Sequence, residues 1–185
     1  EGLLLEISNP GLGRGKINEV RQAIADFRKQ GKKVYAQLEM GMPEDYLIAT
    51  ACDEIVMPES GVLVVPGVRM EAMFFRGTLA KLGVKADFLH MGDAKGAAES
   101  LTRRSYSKPV KENLSALVDD LYDQMIDTIA TDRKLDKEEV VRLVDIGLLS
   151  ATKAKECGLI DRLAYPHELR EALDDEDQER DFVYV

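Results

Sequence analysis

An alternation of strand and helix over residues 3–38 constrains the fold of this chain more than any other feature. The apolar run 3–7 predicts a buried strand, which a turn at residues 9–11 ends. Apolar residues then recur at helical spacing up to a glycine stop, and residues 33–38 predict a second strand. Strand, helix and strand within so short a stretch predict a right-handed crossover and therefore a parallel sheet.

The strand–helix order continues to about residue 90, after which the chain is mainly helical. Further strands are predicted over residues 54–57, 62–65, 85–90 and 159–163, and helices over 44–52, 70–82, 107–129 and 167–173, with two short helices opened by Asp136 and Ser150. The pattern indicates an α/β fold with a largely parallel sheet and crossover helices, followed by a helical second half. We expect one domain over residues 1–173. An acidic tail, or the start of an interdomain linker, is expected over residues 174–185.

Charge and hydropathy exclude several classes of function. The formal net charge is −9, and no basic stripe stands out, so nucleic-acid binding is disfavoured. No apolar run approaches the roughly 20 residues that span a bilayer. Because the chain opens on Glu1 and Gly2 without Met or a signal peptide, we expect a soluble piece of a longer protein, with any membrane anchor outside it. Cys52 and Cys157 are expected to be buried, inert thiols.

Few residues offer catalytic chemistry. His90 and His167 have no evident partner, so a Ser-His-Asp triad and a zinc site are both disfavoured, and no metal or cofactor is predicted. The glycine-rich segment 11–16 lies where a phosphate loop would, yet it matches neither the dinucleotide nor the Walker pattern, which favours a flexible turn. The polar segment 103–108 predicts a loop, and covering a substrate groove is the alternative.

Lys95 is the strongest single candidate. It follows a predicted strand end and lies among small residues, and active groups in parallel α/β folds collect where strands end. Partial desolvation helps a lysine to act as a general base. On these grounds alone, an ordinary solvated lysine stays the alternative.

Three segments give the chain a family resemblance. They are residues 88–99, which read FLHMGDAKGAAE, residues 135–140, which read LDKEEV, and residues 150–161, which read SATKAKECGLID. They resemble the signal peptide peptidase A family (protease IV), membrane-associated bacterial serine proteases with a fold of the Clp protease and crotonase type. The resemblance extends from Leu3 to about Leu173, and its lysine segment is the most specific part.

The resemblance assigns roles to two positions. It implies that Lys95 is the general base of a Ser-Lys dyad. Residues 46–55 resemble the stretch that follows the family's serine, but Pro43 occupies the place of the nucleophile. The chain therefore resembles the N-terminal, lysine-bearing domain of the longer family members. The serine would come from a second domain of the same protein.

The same resemblance implies a substrate and a setting. We expect cleavage of remnant signal peptides or other short membrane-associated peptides, in a homo-oligomer facing the extracytoplasmic side of a bacterial membrane. Two alternatives stay open. One is a crotonase-like enzyme acting on acyl-CoA, and the other is a non-catalytic assembly module in which Lys95 has only a surface role.

Overall fold

A computed structural model describes residues 2–89, 95–176 and 182–184 of the chain. The chain divides into two compact units. The first, which we call the sheet unit, comprises Glu1–Gly67 and Met125–Val185, and the second, which we call the lysine unit, comprises Val68–Gln124. Whether both belong to the single domain predicted over residues 1–173 stays a prediction.

Strands and helices alternate along most of the chain, as expected for the α/β class. The elements in chain order are β1 (Gly2–Glu6), α1 (Arg14–Arg28), β2 (Lys33–Gln37), β3 (Met40–Gly41), α2 (Pro43–Ala49), β4 (Glu54–Met57), β5 (Val62–Val64), α3 (Arg76–Lys81), α4 (Glu99–Thr102), α5 (Lys108–Arg133), α6 (Lys137–Ile146), β6 (Leu148–Ser150), α7 (Ala151–Glu156), β7 (Arg162–Leu163), α8 (Pro166–Glu176) and β8 (Phe182–Tyr184). Helix α5 begins in the lysine unit and ends in the sheet unit.

The sheet unit is built on a five-stranded sheet in the order β7-β4-β2-β1-β8. Every neighbouring pair in it is parallel. A smaller sheet has the order β3-β5-β6, with β3 and β5 parallel and β5 and β6 antiparallel. The prediction of an α/β fold with a largely parallel sheet is therefore confirmed, including the crossover from β1 through α1 to β2.

Apolar side chains from the sheet and the helices fill the core of the sheet unit. Leu4 of β1 and Val56 of β4 pack with Leu169 and Leu173, which lie one turn apart on α8. All four are at most 1% exposed. Helix α1 buries Ile17 and Ile24, seven residues apart on one face, as its apolar spacing predicts.

An ion-pair network around Arg133 ties the end of α5 to this core. Arg133 makes a double ion pair with Asp161, with nitrogen–oxygen distances of 2.9 and 2.6 Å. The same carboxylate accepts the N–H of Ile55 at 2.7 Å, which links β4 to the segment before β7. Asp161 ends the segment 150–161 that carried the family resemblance. Its role in this structure is to hold the fold together.

Helix α2 is held by a tyrosine at the centre of the core. Tyr46 is completely buried, and its hydroxyl donates to the carbonyl oxygen of Leu159 at 2.7 Å. Cys52 is also buried, and burial raises the pKa of its thiol to about 12, so it is protonated and unreactive as predicted. Cys157 is only partly buried.

The lysine unit differs from two predictions. The helix predicted over 70–82 is confined to α3, and residues 85–89 form no strand. A strand persists only where a neighbour satisfies its backbone groups, and the structure pairs no strand with this segment. His90, the last residue of that predicted strand, lies outside the described residues.

The C-terminal tail predicted over residues 174–185 is partly regular structure. Helix α8 extends to Glu176, and β8 adds a fifth strand beside β1, pairing Gly2 with Phe182 and Leu4 with Tyr184. Residues 177–181 and 185 lie outside the described part. No helix in the described ranges is both long enough and apolar enough to cross a membrane.

Candidate functional site

Lys95 lies on the wall of a cavity of about 490 Å³ in the lysine unit. Arg76, Asp87, Glu99 and Ser107 contribute to the same wall. The Lys95 residue is exposed, and residues 90–94 before it lie outside the described part of the chain. The structure thus gives Lys95 an open setting with charged neighbours.

A close backbone contact fixes the residue after the lysine. A Cβ atom added to Gly96 would lie 2.6 Å from Cγ1 of Val110, which is too close for any side chain without movement. The Gly96 carbonyl oxygen also accepts the N–H of Glu99 at 3.0 Å, at the start of α4. Glycine at this position therefore allows the lysine segment to pack directly on the first turn of α5.

Glu99 closes the other side of the segment. Its carboxylate accepts the backbone N–H of Ser107 at 2.8 Å, just before α5 begins. The segment from Lys95 to Ser107, which includes α4, is thus anchored twice, by the packing of Gly96 on Val110 and by this hydrogen bond. Glu99 belongs to the motif 88–99, but the sequence did not predict this hydrogen bond. The two residues are eight positions apart, and no local pattern indicates a contact between them.

Ser107 contributes a hydroxyl group to the region of this cavity. Its Oγ is buried and has no hydrogen-bond partner among the described residues, and the residue lines the cavity together with Arg103. The segment 103–108, predicted as a loop with a possible role in covering a substrate groove, is a loop up to the start of α5 and contributes part of the cavity wall. The covering role stays a prediction.

His167 shows no sign of catalytic use. It is exposed, and its ring stacks on Tyr165 with 6.2 Å between the ring centroids. In the described part of the chain, no group of three or more His, Cys, Asp or Glu residues is arranged to hold a metal ion. Segment 11–16 forms a turn with Gly11 at φ 59° and then the first turn of α1.

Pro43 lies at the N-terminal end of α2, in the sheet unit. Asp45, two residues later, is 1% exposed, and its Oδ2 accepts the backbone N–H of Met42 at 3.0 Å. The backbone of Asn9 donates to the same carboxylate. Burial raises the pKa of Asp45, while these two hydrogen bonds act against the increase. A proline and a buried carboxyl therefore occupy this turn, and neither is a nucleophile of the serine type.

Comparison with known proteins gives this arrangement a family. Residues 26–180 match the model of peptidase family S49. The chain belongs to peptidase family S49. The predicted resemblance to signal peptide peptidase A is thereby confirmed.

Two relatives illustrate the membership in family S49. The chain is 30% identical over 168 residues to "Serine protease SPPA, chloroplastic" from Arabidopsis thaliana, covering 91% of this chain and 25% of that protein. It is 26% identical over 188 residues to "Putative signal peptide peptidase SppA" from Enterococcus faecium, covering 100% of this chain and 54% of that protein. The chain thus spans from about a quarter to about half the length of these relatives.

Among solved structures, an enoyl-CoA hydratase/isomerase family member is 17% identical, with a TM-score of 0.46, and the match covers 94% of this chain and 49% of that one. With a TM-score below 0.5, the α/β assignment of this S49 chain rests on its own strand order.

Proposed function

We propose that this chain is the lysine-bearing half of a serine peptidase, in which Lys95 is the general base for a serine supplied by a second domain of the same protein. The observation that carries the proposal is the position of Lys95 on an open cavity of about 490 Å³. Membership in peptidase family S49 supports the reaction class. Pro43 at the first position of α2 supports a serine from elsewhere.

The reaction requires Lys95 without its proton. A neutral Nζ takes the proton from the serine hydroxyl as the serine oxygen attacks the peptide carbonyl carbon. The resulting ammonium then gives the proton to the departing amine, which leaves an acyl-enzyme. A water molecule, deprotonated in the same way by Nζ, attacks the acyl carbon and frees the serine. Because a solvated lysine is protonated at neutral pH, a partner has to cover Lys95 and exclude water from it.

Apolar side chains on the lysine unit support such a partner. Eight large hydrophobic side chains of this unit are between 41% and 105% exposed: Met70, Met73, Phe75, Leu82, Val84, Phe88, Leu89 and Leu117. Apolar surface of this extent is typical of interaction sites. We infer that the serine-bearing domain, and further copies of the protein in a homo-oligomer, cover this surface.

Short peptides left in or near a membrane, such as remnant signal peptides, are the substrates that this proposal names. The name "Putative signal peptide peptidase SppA" of the Enterococcus faecium relative supports the choice. In this proposal the whole protein is bacterial and faces the extracytoplasmic side of the membrane, which it contacts through segments other than this chain. The match to a peptidase family disfavours the acyl-CoA alternative.

A non-catalytic assembly module is the second candidate, and the exposure of Lys95 is the observation that favours it. Substitution in the full-length protein separates the two. Lys95→Ala removes the base, so we expect peptide hydrolysis to fall at least about 100-fold, with little change in the oligomeric state measured by light scattering. Lys155→Ala, at an exposed lysine of α7 in the sheet unit, is the matched control and should keep full activity. Full activity in Lys95→Ala would favour the assembly module.

The isolated chain offers a second test of the serine's origin. Because it has no serine at the position of Pro43, it should not hydrolyse peptides at any concentration, and adding the serine-bearing domain should restore hydrolysis. A fluorogenic peptide assay measures both. Hydrolysis by the isolated chain that disappears in Lys95→Ala would contradict the proposal.

A further inference from the structure

A second cavity, of about 200 Å³, lies in the sheet unit at the carboxyl ends of β1 and β2. Glu6, at the end of β1, and Gln37, at the end of β2, are part of its wall, as are Glu39 and Met40 in the segment that follows β2. In open α/β sheets, ligands bind at this edge. We call this space the Gln37 cavity.

Gln37 is the unexpected member of this wall. The residue is 4% exposed, and neither Nε2 nor Oε1 of its side chain has a hydrogen-bond partner among the described residues. A buried polar atom without a partner costs about 1–3 kcal/mol, and buried side-chain polar atoms in folded proteins are in large majority paired. One donor and one acceptor side by side are complemented by a group that offers both, and a peptide amide is such a group. A ligand amide satisfies both atoms at once.

The rim of the cavity adds charge and apolar surface. Glu6 and Glu39 are both exposed carboxylates, and Glu6 forms an ion pair with Arg170. Glu39 has no ion pair or side-chain hydrogen bond in the part of the chain that the structure describes. Met40 is 57% exposed beside it. A ligand with an alkyl chain that ends in a positive charge complements this rim.

The turn that follows β1 is held in place before any ligand binds. Ser8 is also part of the wall, and the next residue, Asn9, has φ 46°, a left-handed conformation that is uncommon outside glycine. The buried carboxylate of Asp45 fixes this turn by accepting hydrogen bonds from the backbone of Asn9 and Met42. A strained residue held by a buried group is typical of binding and active sites.

We propose that the Gln37 cavity binds a lysine residue of a peptide segment. The main-chain amide of that residue pairs with the Gln37 side chain, its methylene chain lies on Met40, and its ammonium group lies beside Glu39. Because both amide atoms of Gln37 are buried, the side chain turns towards the cavity when it meets the ligand. The proposal rests on Gln37 and Glu39 and not on Lys95, so a failure to bind the lysine compound leaves the proposed function untouched.

Titration with Nα-acetyl-lysine N-methylamide, followed by NMR of the whole chain, tests the proposal. We expect saturable shifts of the Gln37 side-chain amide and of the backbone amides of residues 6–8 and 37–40. In Gln37→Met, which keeps the size of the side chain and removes both polar atoms, binding should weaken at least about tenfold. The variant itself should be as stable as the wild type or more so, since it removes two unpaired polar atoms. Gln30→Met, at an exposed glutamine after α1, is the matched control and should bind as the wild type does.

A second variant separates the charge from the amide and does not depend on Gln37→Met folding. Glu39→Gln changes an exposed residue, so it should fold normally. It should weaken binding of the lysine compound several-fold and leave unchanged the weaker binding of Nα-acetyl-norleucine N-methylamide, which lacks the charge. No shifts with the wild type up to about 10 mM of the lysine compound would overturn the proposal. Equal binding by the wild type and Gln37→Met would overturn it as well.

Discussion

The two units of this chain bury their apolar residues to very different extents. In the sheet unit, strands and helices surround side chains that are almost completely inaccessible, such as Tyr46, Ile55 and Leu169. Among the described residues of the lysine unit, Val110 alone is buried. Apolar residues are not rare in the lysine unit, yet Met73, Leu82 and Leu89 are each more than 70% exposed. The same kind of side chain therefore stabilises one unit and stays available for contacts in the other.

This difference indicates where fold and proposed function reside. Burial of apolar surface, at about 25 cal/mol per Å², contributes to the stability of the sheet unit. The lysine unit carries Lys95 on a cavity wall, among large apolar side chains that are exposed. In the proposed enzyme, completion of the active site and burial of this apolar surface are the same event. Under this proposal, activity depends on assembly.

Matched leucine substitutions test the comparison with the largest expected effect. Leu4→Ala removes a side chain that is 1% exposed in the core of the sheet unit, so the free energy of unfolding should fall by about 2–5 kcal/mol. Leu82→Ala, at a leucine that is 72% exposed in the lysine unit, should change it by less than about 0.5 kcal/mol. Urea denaturation followed by circular dichroism measures both. Equal destabilisation by the two variants would mean that the lysine unit has a core of its own.

Glycine-to-alanine substitutions test how the lysine segment is held. In Gly96→Ala the new methyl group would meet Val110 at 2.6 Å, so the segment has to move, at an expected cost of about 1–3 kcal/mol. Gly77→Ala, in α3 with nothing within 4 Å of the added carbon, should be neutral or slightly stabilising. Differential thermal unfolding measures the pair, and hydrolysis by the full-length protein shows whether Lys95 has moved.

A second substitution distinguishes displacement of Lys95 from a general loss of structure in Gly96→Ala. Val110→Ala removes the two methyl groups nearest to the new one, so the double variant should recover part of the hydrolysis that Gly96→Ala loses. If Val110→Ala makes the loss larger, the contact between Gly96 and Val110 does not position Lys95.

Local patterns in the sequence predicted the sheet unit well. The apolar run of β1, the spacing in α1 and the short distance to β2 are all contained within a few tens of residues, and together they allow one topology. Ser150 was also predicted to cap a helix, and its Oγ accepts the N–H of Lys153 at 3.3 Å. Asp136 stands at the predicted N-cap position of α6, although its side chain makes no capping hydrogen bond.

Contacts between distant residues explain what the sequence did not reveal. Residues 85–89 have strand-like composition, but a strand needs a neighbour, and the pattern contains no information about one. The last strand, β8, was missed for the same reason, since its partner β1 lies at the other end of the chain. Lys95 was predicted through a motif, and its role is still a proposal. No pattern in the sequence predicted the two unpaired atoms of Gln37, because the burial of this residue depends on the whole sheet unit.

The smallest expected effect is a pH dependence that belongs to the sheet unit. Burial raises the pKa of Asp45 above its value in the unfolded chain, so the folded state binds this proton more tightly than the unfolded state does. The contribution of Asp45 to stability is therefore greatest below its unfolded pKa and declines as the pH rises through its folded pKa. In Asp45→Asn this decline should be absent, so the stability of the wild type relative to the variant should fall as the pH rises above about 4.

Asp26 is the control for this measurement because its pKa shifts the other way. Hydrogen bonds from Lys29 and then Gln22 lower the pKa of this carboxyl on the exposed face of α1. Its contribution is present above its unfolded pKa and declines as the pH falls, so Asp26→Asn should alter the stability profile on the acid side with the opposite sign. Chemical denaturation at a series of pH values gives both profiles. Profiles of the same sign would show that Asp45 is paired well enough to offset its burial, and the turn that it fixes beside the Gln37 cavity would then be stabilised by its charge.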